Sequence, residues 1–171
     1  MKISILGSRG IPNNYGGFEQ CAENLALKFV KQGHEVIVYN NKDSNYQKNV
    51  WNGVTIKHVF SNEKLFRSFN VFITDFLSLL NAVRSNCDII LALGSAPNPL
   101  FYHLKYFTKA KLITNIAGLE WKRSKWSKLV RLLIKFSEKR AINMSEAIVA
   151  DNIEIQNYLL DEYNKPSDFI A

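Results

Sequence analysis

Cysteine is scarce in this chain: Cys21 and Cys87 are the only two among 171 residues. They are too few and too far apart for a secreted disulfide framework or a Cys-based metal site, so a reducing cytoplasm is the expected compartment. Histidine is almost as rare. His34, His58 and His103 stand in no His/Cys/Asp/Glu group of metal-ligand spacing, and no metal is expected. His34, in a Gly-His-Glu sequence, also lacks a nearby Asp, Cys or Ser that would complete a catalytic constellation. Long hydrophobic runs are missing too. The leading MKISIL is too short for the core of a signal peptide, and the richest apolar stretch, 66–83, is interrupted by Arg67, Asn70, Asp75 and Asn81, so no membrane span is expected. Acidic residues are in deficit, 15 against 22 Lys and Arg, which gives a net charge of +7. The imbalance concentrates in residues 101–140, where eleven Lys and Arg face only Glu120 and Glu138. Such a surface calls for an acidic partner.

Glycine is not abundant, yet it clusters where it matters. GSRGIPNNYGGFE, residues 7–19, lies between a short apolar run and an amphipathic helical pattern. Residues without Cβ let backbone approach an anionic or polyhydroxy ligand, and the following helix directs free N–H groups and a partial positive charge at it. The spacing does not fit a dinucleotide fingerprint, and no Gly-Lys-Ser/Thr follows for a P-loop, which argues against NAD and ATP chemistry.

Elsewhere the apolar period alternates between strand and helix. Strands are predicted at about 2–7, 34–40, 54–60, 88–93, 111–116 and 146–150. Phe18, Ala22, Leu25, Ala26 and Phe29 form one helical stripe ended by Gly33. Phe69, Phe72, Ile73, Phe76, Leu80 and Val83 form a second, and both are expected to face the sheet. A short helix is predicted over 98–108, a long one over 125–144, and a loop or hairpin over 40–52. Asp151 is the expected cap of a last helix. The pattern implies one α/β domain over 1–171, a Rossmann-like parallel sheet with helices on both sides in three layers.

On the long helix, Trp126, Leu129, Leu133 and Phe136 gather on one side, opposite Lys125, Lys128, Arg131, Lys135 and Lys139. Such a basic amphipathic helix reads either as the solvated face of a packed helix or as a surface for anionic lipid headgroups, with Trp121, Trp126, Lys122 and Arg123 suited to the interface. A stand-alone basic module for nucleic acid or phosphorylated ligands is the alternative. No RNA-binding signature or helix-turn-helix is present, so nucleic acid is not the expected partner.

The strings GSRGIPNNYGGFEQCAENLA, GHEVIVYN, GLEWKRSKW and KFSEKRAI resemble the amino-terminal, acceptor-side domain of bacterial rhamnosyltransferase-type glycosyltransferases of the GT-B fold, family-4-like and of the DUF1972 type. The likeness runs through the whole chain. It implies one half of a GT-B fold, facing a second Rossmann-like domain that holds a nucleotide-sugar, with this chain an acceptor half that is inactive alone. It implies no cofactor, only a co-substrate of the dTDP-rhamnose kind. The implied partners are the second domain, a lipid-linked sugar acceptor and an anionic membrane surface, in a peripheral position at the inner face of the cell membrane.

By the same resemblance Gly7, Arg9, Gly16, Gly17, Glu19 and Arg123 would line the cleft on the donor-phosphate side. Gly94, Ser95, Gly118, Glu120, Trp121 and Lys122 would meet the acceptor, and Glu120 is the candidate catalytic carboxylate. One departure stands out. The family segment usually reads Asp-Gly where this chain has Ala117-Gly118, so a carboxylate expected at the cleft is missing. Retaining transfer, which the resemblance suggests, can pass the acceptor proton to the leaving phosphate oxygen without a protein base.

Overall fold

Runs such as KISIL, EVIVYNN and IILAL carry apolar residues on both faces, which suits strands covered by helices on either side. The computed structural model, which describes residues 1–14, 16–66, 70–95, 98–124 and 126–170, gathers them in one sheet. Its strands are β1 (Lys2–Leu6), β2 (Glu35–Asn41), β3 (Val50–Trp51), β4 (Val54–Val59), β5 (Ile89–Leu93), β6 (Lys111–Ile116), β7 (Ala147–Ala150) and β8 (Asp168–Phe169). The spatial order is β3-β4-β2-β1-β5-β6-β7-β8, parallel throughout except for the antiparallel pair β3 and β4. That pair turns through Asn52 and Gly53, both at positive φ, as a two-residue hairpin requires.

Among the described residues, five α-helices and two 3-10 segments cover the sheet: α1 (Gly17–Lys31), α2 (Glu63–Phe66), α3 (Asn70–Arg84), Asn98–Phe107, Glu120–Lys122, α4 (Lys128–Met144) and α5 (Ile153–Tyr163). Alternation along the strands divides the core. Ile3, Ile5, Val36, Val38 and Leu91 pack with Ala22 and Ala26 of α1 on one side. Leu6, Ile37, Tyr39, Ile90 and Ala92 pack with α3, with Tyr102 of the 98–107 segment and with Ala141 of α4 on the other. A third cluster, around Ile116, Ile142, Ile148 and Leu159, holds α4 and α5 to the β6–β7 end. This is the expected three-layer, Rossmann-like α/β architecture.

The hairpin expected as one possibility for 40–52 forms at its end, where β3 pairs antiparallel with β4. Four expectations need correction. The chain forms an additional β8, whose two residues are too few for a period to register. The 98–107 helix is 3-10 in form. Asn152, not Asp151, caps α5, its Oδ1 accepting from the Ile155 amide at 2.8 Å. The second aromatic stripe does not simply face the sheet. α3 buries Thr74, Asp75, Ser78, Leu79, Ala82 and Val83, whereas Phe72, Ile73, Phe76 and Leu80 are half-buried. Phe76 instead meets Phe101 edge-on at 5.2 Å, because the stripe is shared between the sheet and the 98–107 segment. Phe69 lies outside the described residues.

Candidate functional site

In a parallel sheet the loops that follow the strands gather on one side, and ligands bind where successive connections diverge. Here the chain leaves β1 toward β2 on one flank, while β5 and β6 lie on the other. The three predicted segments therefore come to neighbouring strand ends: Gly7–Gly17 after β1, Gly94–Ser95 after β5, and Gly118–Arg123 after β6.

The first turn is built around two glycines. Gly7 has φ +92°, and a Cβ there would fall on the Leu93 carbonyl oxygen of the neighbouring strand. Gly10 has φ +123°, and a Cβ there would overlap the Asn40 side chain. That Asn40 contact fastens the turn: its Oδ1 accepts from the Ile11 amide at 3.0 Å, and its Nδ2 donates to the Ile11 carbonyl at 2.7 Å. The Ile11–Pro12 bond is cis. Two carboxylates of α1 complete the anchoring, Glu19 accepting from the Arg9 amide at 2.8 Å and Glu23 from the Asn13 amide at 2.6 Å. Glu19, expected in the cleft, is buried and holds the turn. Gly16 caps α1 in extended conformation without a side-chain bond to the first-turn amides, and among the described residues, its chain neighbours and its own helix's backbone aside, no atom lies within 4 Å of where a Gly17 Cβ would stand. A side chain at Gly17 would therefore meet open space, while Glu19 Oε2 lies 3.4 Å from where a Gly16 Cβ would stand.

After β5, Gly94 at φ +90° lies against the Phe18 ring, and Ser95 is buried. After β6, Glu120 and Arg123, expected on the acceptor and donor-phosphate sides respectively, form an ion pair at 2.9 Å. Trp121 enters a cation–aromatic cluster. Lys135 Nζ lies 4.3 Å from the Trp121 ring centre and Lys122 Nζ 5.3 Å. Lys135 also donates to the Tyr158 hydroxyl at 2.6 Å and to Glu162 at 3.1 Å. Beneath them the fully buried Glu138 accepts from the hydroxyls of Tyr158 and Tyr163 at 2.6 and 2.9 Å. Burial, then the bond to Glu138, raises the Tyr158 phenol well above its usual range. Burial alone would lower the Lys135 ammonium, but hydrogen bonds to Tyr163 and Glu162 and the charge of Glu138 raise it. Lys135 is therefore not part of a free basic face, as the helical wheel implied; it is drawn inward by π faces and carboxylates.

α4 holds a second departure from the wheel. Ile134, Ser137, Glu138, Ala141 and Ile142 face the protein. Leu129 is 80% exposed, Leu132 69% and Phe136 54%, with Lys128 and Lys139 exposed at their flanks. Arg131 donates to the Trp126 carbonyl at 3.1 Å, Trp126 is half-buried, and Lys125 lies outside the described residues. The apolar side read from sequence thus points outward.

Two features escaped sequence reading. Asp75 is buried on α3, where desolvation raises its carboxyl to about 7 against the lowering effect of the Asn98 amide. It had read only as an interruption of an apolar run. A polar depression of about 240 Å³ also opens between the first turn and the loop after β2; runs of Asn, Asp and Ser look alike whether a loop is solvated or concave. Among the described residues no group of His, Cys, Asp and Glu could hold a metal, and no helix is long and apolar enough to cross a membrane.

The same fold recurs in halves of larger enzymes. A sucrose-phosphate synthase from Thermosynechococcus elongatus superposes with TM-score 0.70 at 11% identity, over 99% of this chain and 47% of its own. Apo UGT2 of Phytolacca americana gives 0.61 at 11%, over 98% and 50%. UDP-N-acetylglucosamine 2-epimerase from Rickettsia bellii gives 0.57 at 13%, over 97% and 42%. The chain spans about half the length of these structures, and the likeness is to one Rossmann-like half of a GT-B architecture. Residues 1–171 match the family described as a domain of unknown function, DUF1972, and the chain belongs to that family. No curated protein sequence matches it significantly.

Proposed function

We propose that this chain is the acceptor-side half of a glycosyltransferase that moves a deoxyhexose, rhamnose or a close analogue, from a nucleotide-sugar to a lipid-linked glycan at the inner face of a cell membrane. One observation carries the reading: the glycine turns after β1 and β5 and the Trp-bearing segment after β6 share one side of the sheet, at strand ends next to one another. Half-length likeness to a sucrose-phosphate synthase and to an epimerase named for UDP-N-acetylglucosamine is in keeping with a nucleotide-sugar enzyme.

In this reading a second lobe brings the nucleotide-sugar over the open end of α1. The first-turn amides and the helix dipole then meet the diphosphate. Arg9 or Arg123 offsets phosphate charge, Arg123 doing so after exchanging its bond to Glu120, which frees that carboxylate for an acceptor hydroxyl. The acceptor proton passes to the leaving phosphate oxygen, so the Ala117 position costs orientation rather than a base. Proximity and charge stabilisation arise only when both lobes close.

The outward leucines and Phe136 of α4, rimmed by Lys128 and Lys139, support contact with an anionic bilayer that carries the acceptor. In the decisive experiment the 171 residues are given dTDP-rhamnose and a polyprenyl-diphosphate-linked disaccharide in micelles. Binding of the lipid-linked sugar with no release of nucleotide is expected. Either enzyme-like turnover by this half alone or absence of any acceptor binding overturns the proposal.

A further inference from the structure

The depression between the first turn and the loop after β2 has more structure than a solvated loop needs. Several of its walls are fixed by hydrogen bonds. Asn41 donates its amide to the Arg9 carbonyl at 3.2 Å, and the Ser44 amide returns to the Asn41 carbonyl at 3.0 Å. The Asp43 amide donates to Ser61 Oγ at 3.2 Å, and Ser61 Oγ donates in turn to Asp43 Oδ1. Ser44 Oγ donates to the Tyr46 carbonyl at 3.2 Å, and the Tyr46 hydroxyl donates to the Val50 carbonyl at 2.8 Å. A concave polar surface held this firmly has its ordering cost met before any ligand arrives.

Its chemistry is selective. Among the described residues Glu19 and Asp43 supply two carboxylates, Arg9 a guanidinium, and the remaining polar side chains are carboxamide and hydroxyl, with Pro12 and the Tyr46 ring as apolar surface. Each carboxylate commits one oxygen to the loops; Glu19 Oε2 and Asp43 Oδ2 carry no hydrogen bond among the described residues. Glu19 is 5% exposed, so its second oxygen is an acceptor held within the wall of the site. Carboxylates and carboxamides side by side suit hydroxyl groups, which both donate and accept. They oppose phosphate or a uronic acid, since two negative charges face one positive. The volume of about 240 Å³ lies below the ~300–1,000 Å³ of drug-sized sites and suits a single ring.

We propose that this depression is a monosaccharide subsite for a neutral hexose or deoxyhexose unit, with Asp43 and Glu19 accepting from ring hydroxyls and Asn45 completing the contact. The proposal rests on the acceptor-side reading above and assigns one sugar of the acceptor to the β2 flank of the turn, apart from Trp121. Saturation-transfer NMR on the 171-residue chain tests it, with methyl rhamnoside, methyl glucoside and methyl glucuronide as probes, with inorganic phosphate followed by phosphorus-NMR line broadening, and with urea unfolding as the check that each variant folds. The neutral glycosides are expected to bind and the charged probes not to. Asp43→Asn and Asn45→Ala should each weaken binding about tenfold or more, while Lys31→Gln, exposed on α1 away from the depression, leaves it within about twofold. If glucuronide or phosphate binds better than the neutral sugars, or if Asp43→Asn and Asn45→Ala change nothing while Trp121→Ala abolishes binding, the subsite is wrong and the acceptor-side reading stands. If no glycoside binds at all, both fail.

Discussion

At the scale of single residues, the buried carboxyl of Asp75 is the group most out of keeping with its surroundings. Desolvation raises it to about 7, well above the ordinary value of 3.8. Below pH 4 both folded and unfolded chains hold the proton; between about 4 and 7 only the folded chain does, so this residue subtracts stability as pH climbs. The loss runs at on the order of 1 kcal/mol per pH unit and stops near neutrality. Asp75→Asn, which keeps an acceptor for the Asn98 amide, should gain on the wild type across that window and hold its advantage above it. Urea midpoints from pH 4 to 8 measure this, and a gap that does not change with pH refutes it. Gly7→Ala makes a contrasting case. Its φ of +92° and the Leu93 carbonyl at its side combine backbone strain of ~1–3 kcal/mol with a steric clash, so unfolding at markedly lower urea is expected. Gly7 was legible because a glycine between an apolar run and a helical stripe has few other reasons to be there. Asp75, Asn40 and Glu138 were not, because their partners lie on remote segments and nothing local distinguishes a buried polar residue from a solvated one.

Among the elements, α4 is where sequence and structure diverge most usefully. A helical wheel finds an apolar side but not which way it points, and Ala141, Ser137 and Glu138 make a narrow inward face that hydrophobicity ranks low. Co-sedimentation with phosphatidylglycerol vesicles should fall sharply for the double variant Leu132→Ser, Phe136→Ser, with thermal stability changed by less than about 0.5 kcal/mol because neither residue is buried. Lys128→Gln with Lys139→Gln should weaken binding by ~1 kcal/mol per charge and flatten its salt dependence. Unaltered sedimentation in both variants removes α4 from the membrane. Lys135→Gln belongs to a different group, since its loss uncovers the Tyr158 and Glu138 pair and should lower the urea midpoint.

For the molecule as a whole, a net charge of +7 with its excess between residues 101 and 140 sets like charges against one another on folding. Raising sodium chloride from 10 to 150 mM should therefore raise the unfolding midpoint; a midpoint that falls with salt contradicts the picture. The sheet, its order of helices and its strand ends were legible because each central strand is long, apolar on both faces and separated from the next by a helix or turn. The two-residue strands carry too little pattern to be read.

The paired hydrogen bonds between Asn40 and Ile11 have a dynamic consequence. They act as one more rung between the end of β2 and the turn, built from a side chain in place of a peptide group. Amide hydrogen exchange at Ile11 should accordingly be as slow as at Val38, and both should open in a single cooperative event. A turn that breathes only when its strand melts presents a ligand with a surface set before the encounter.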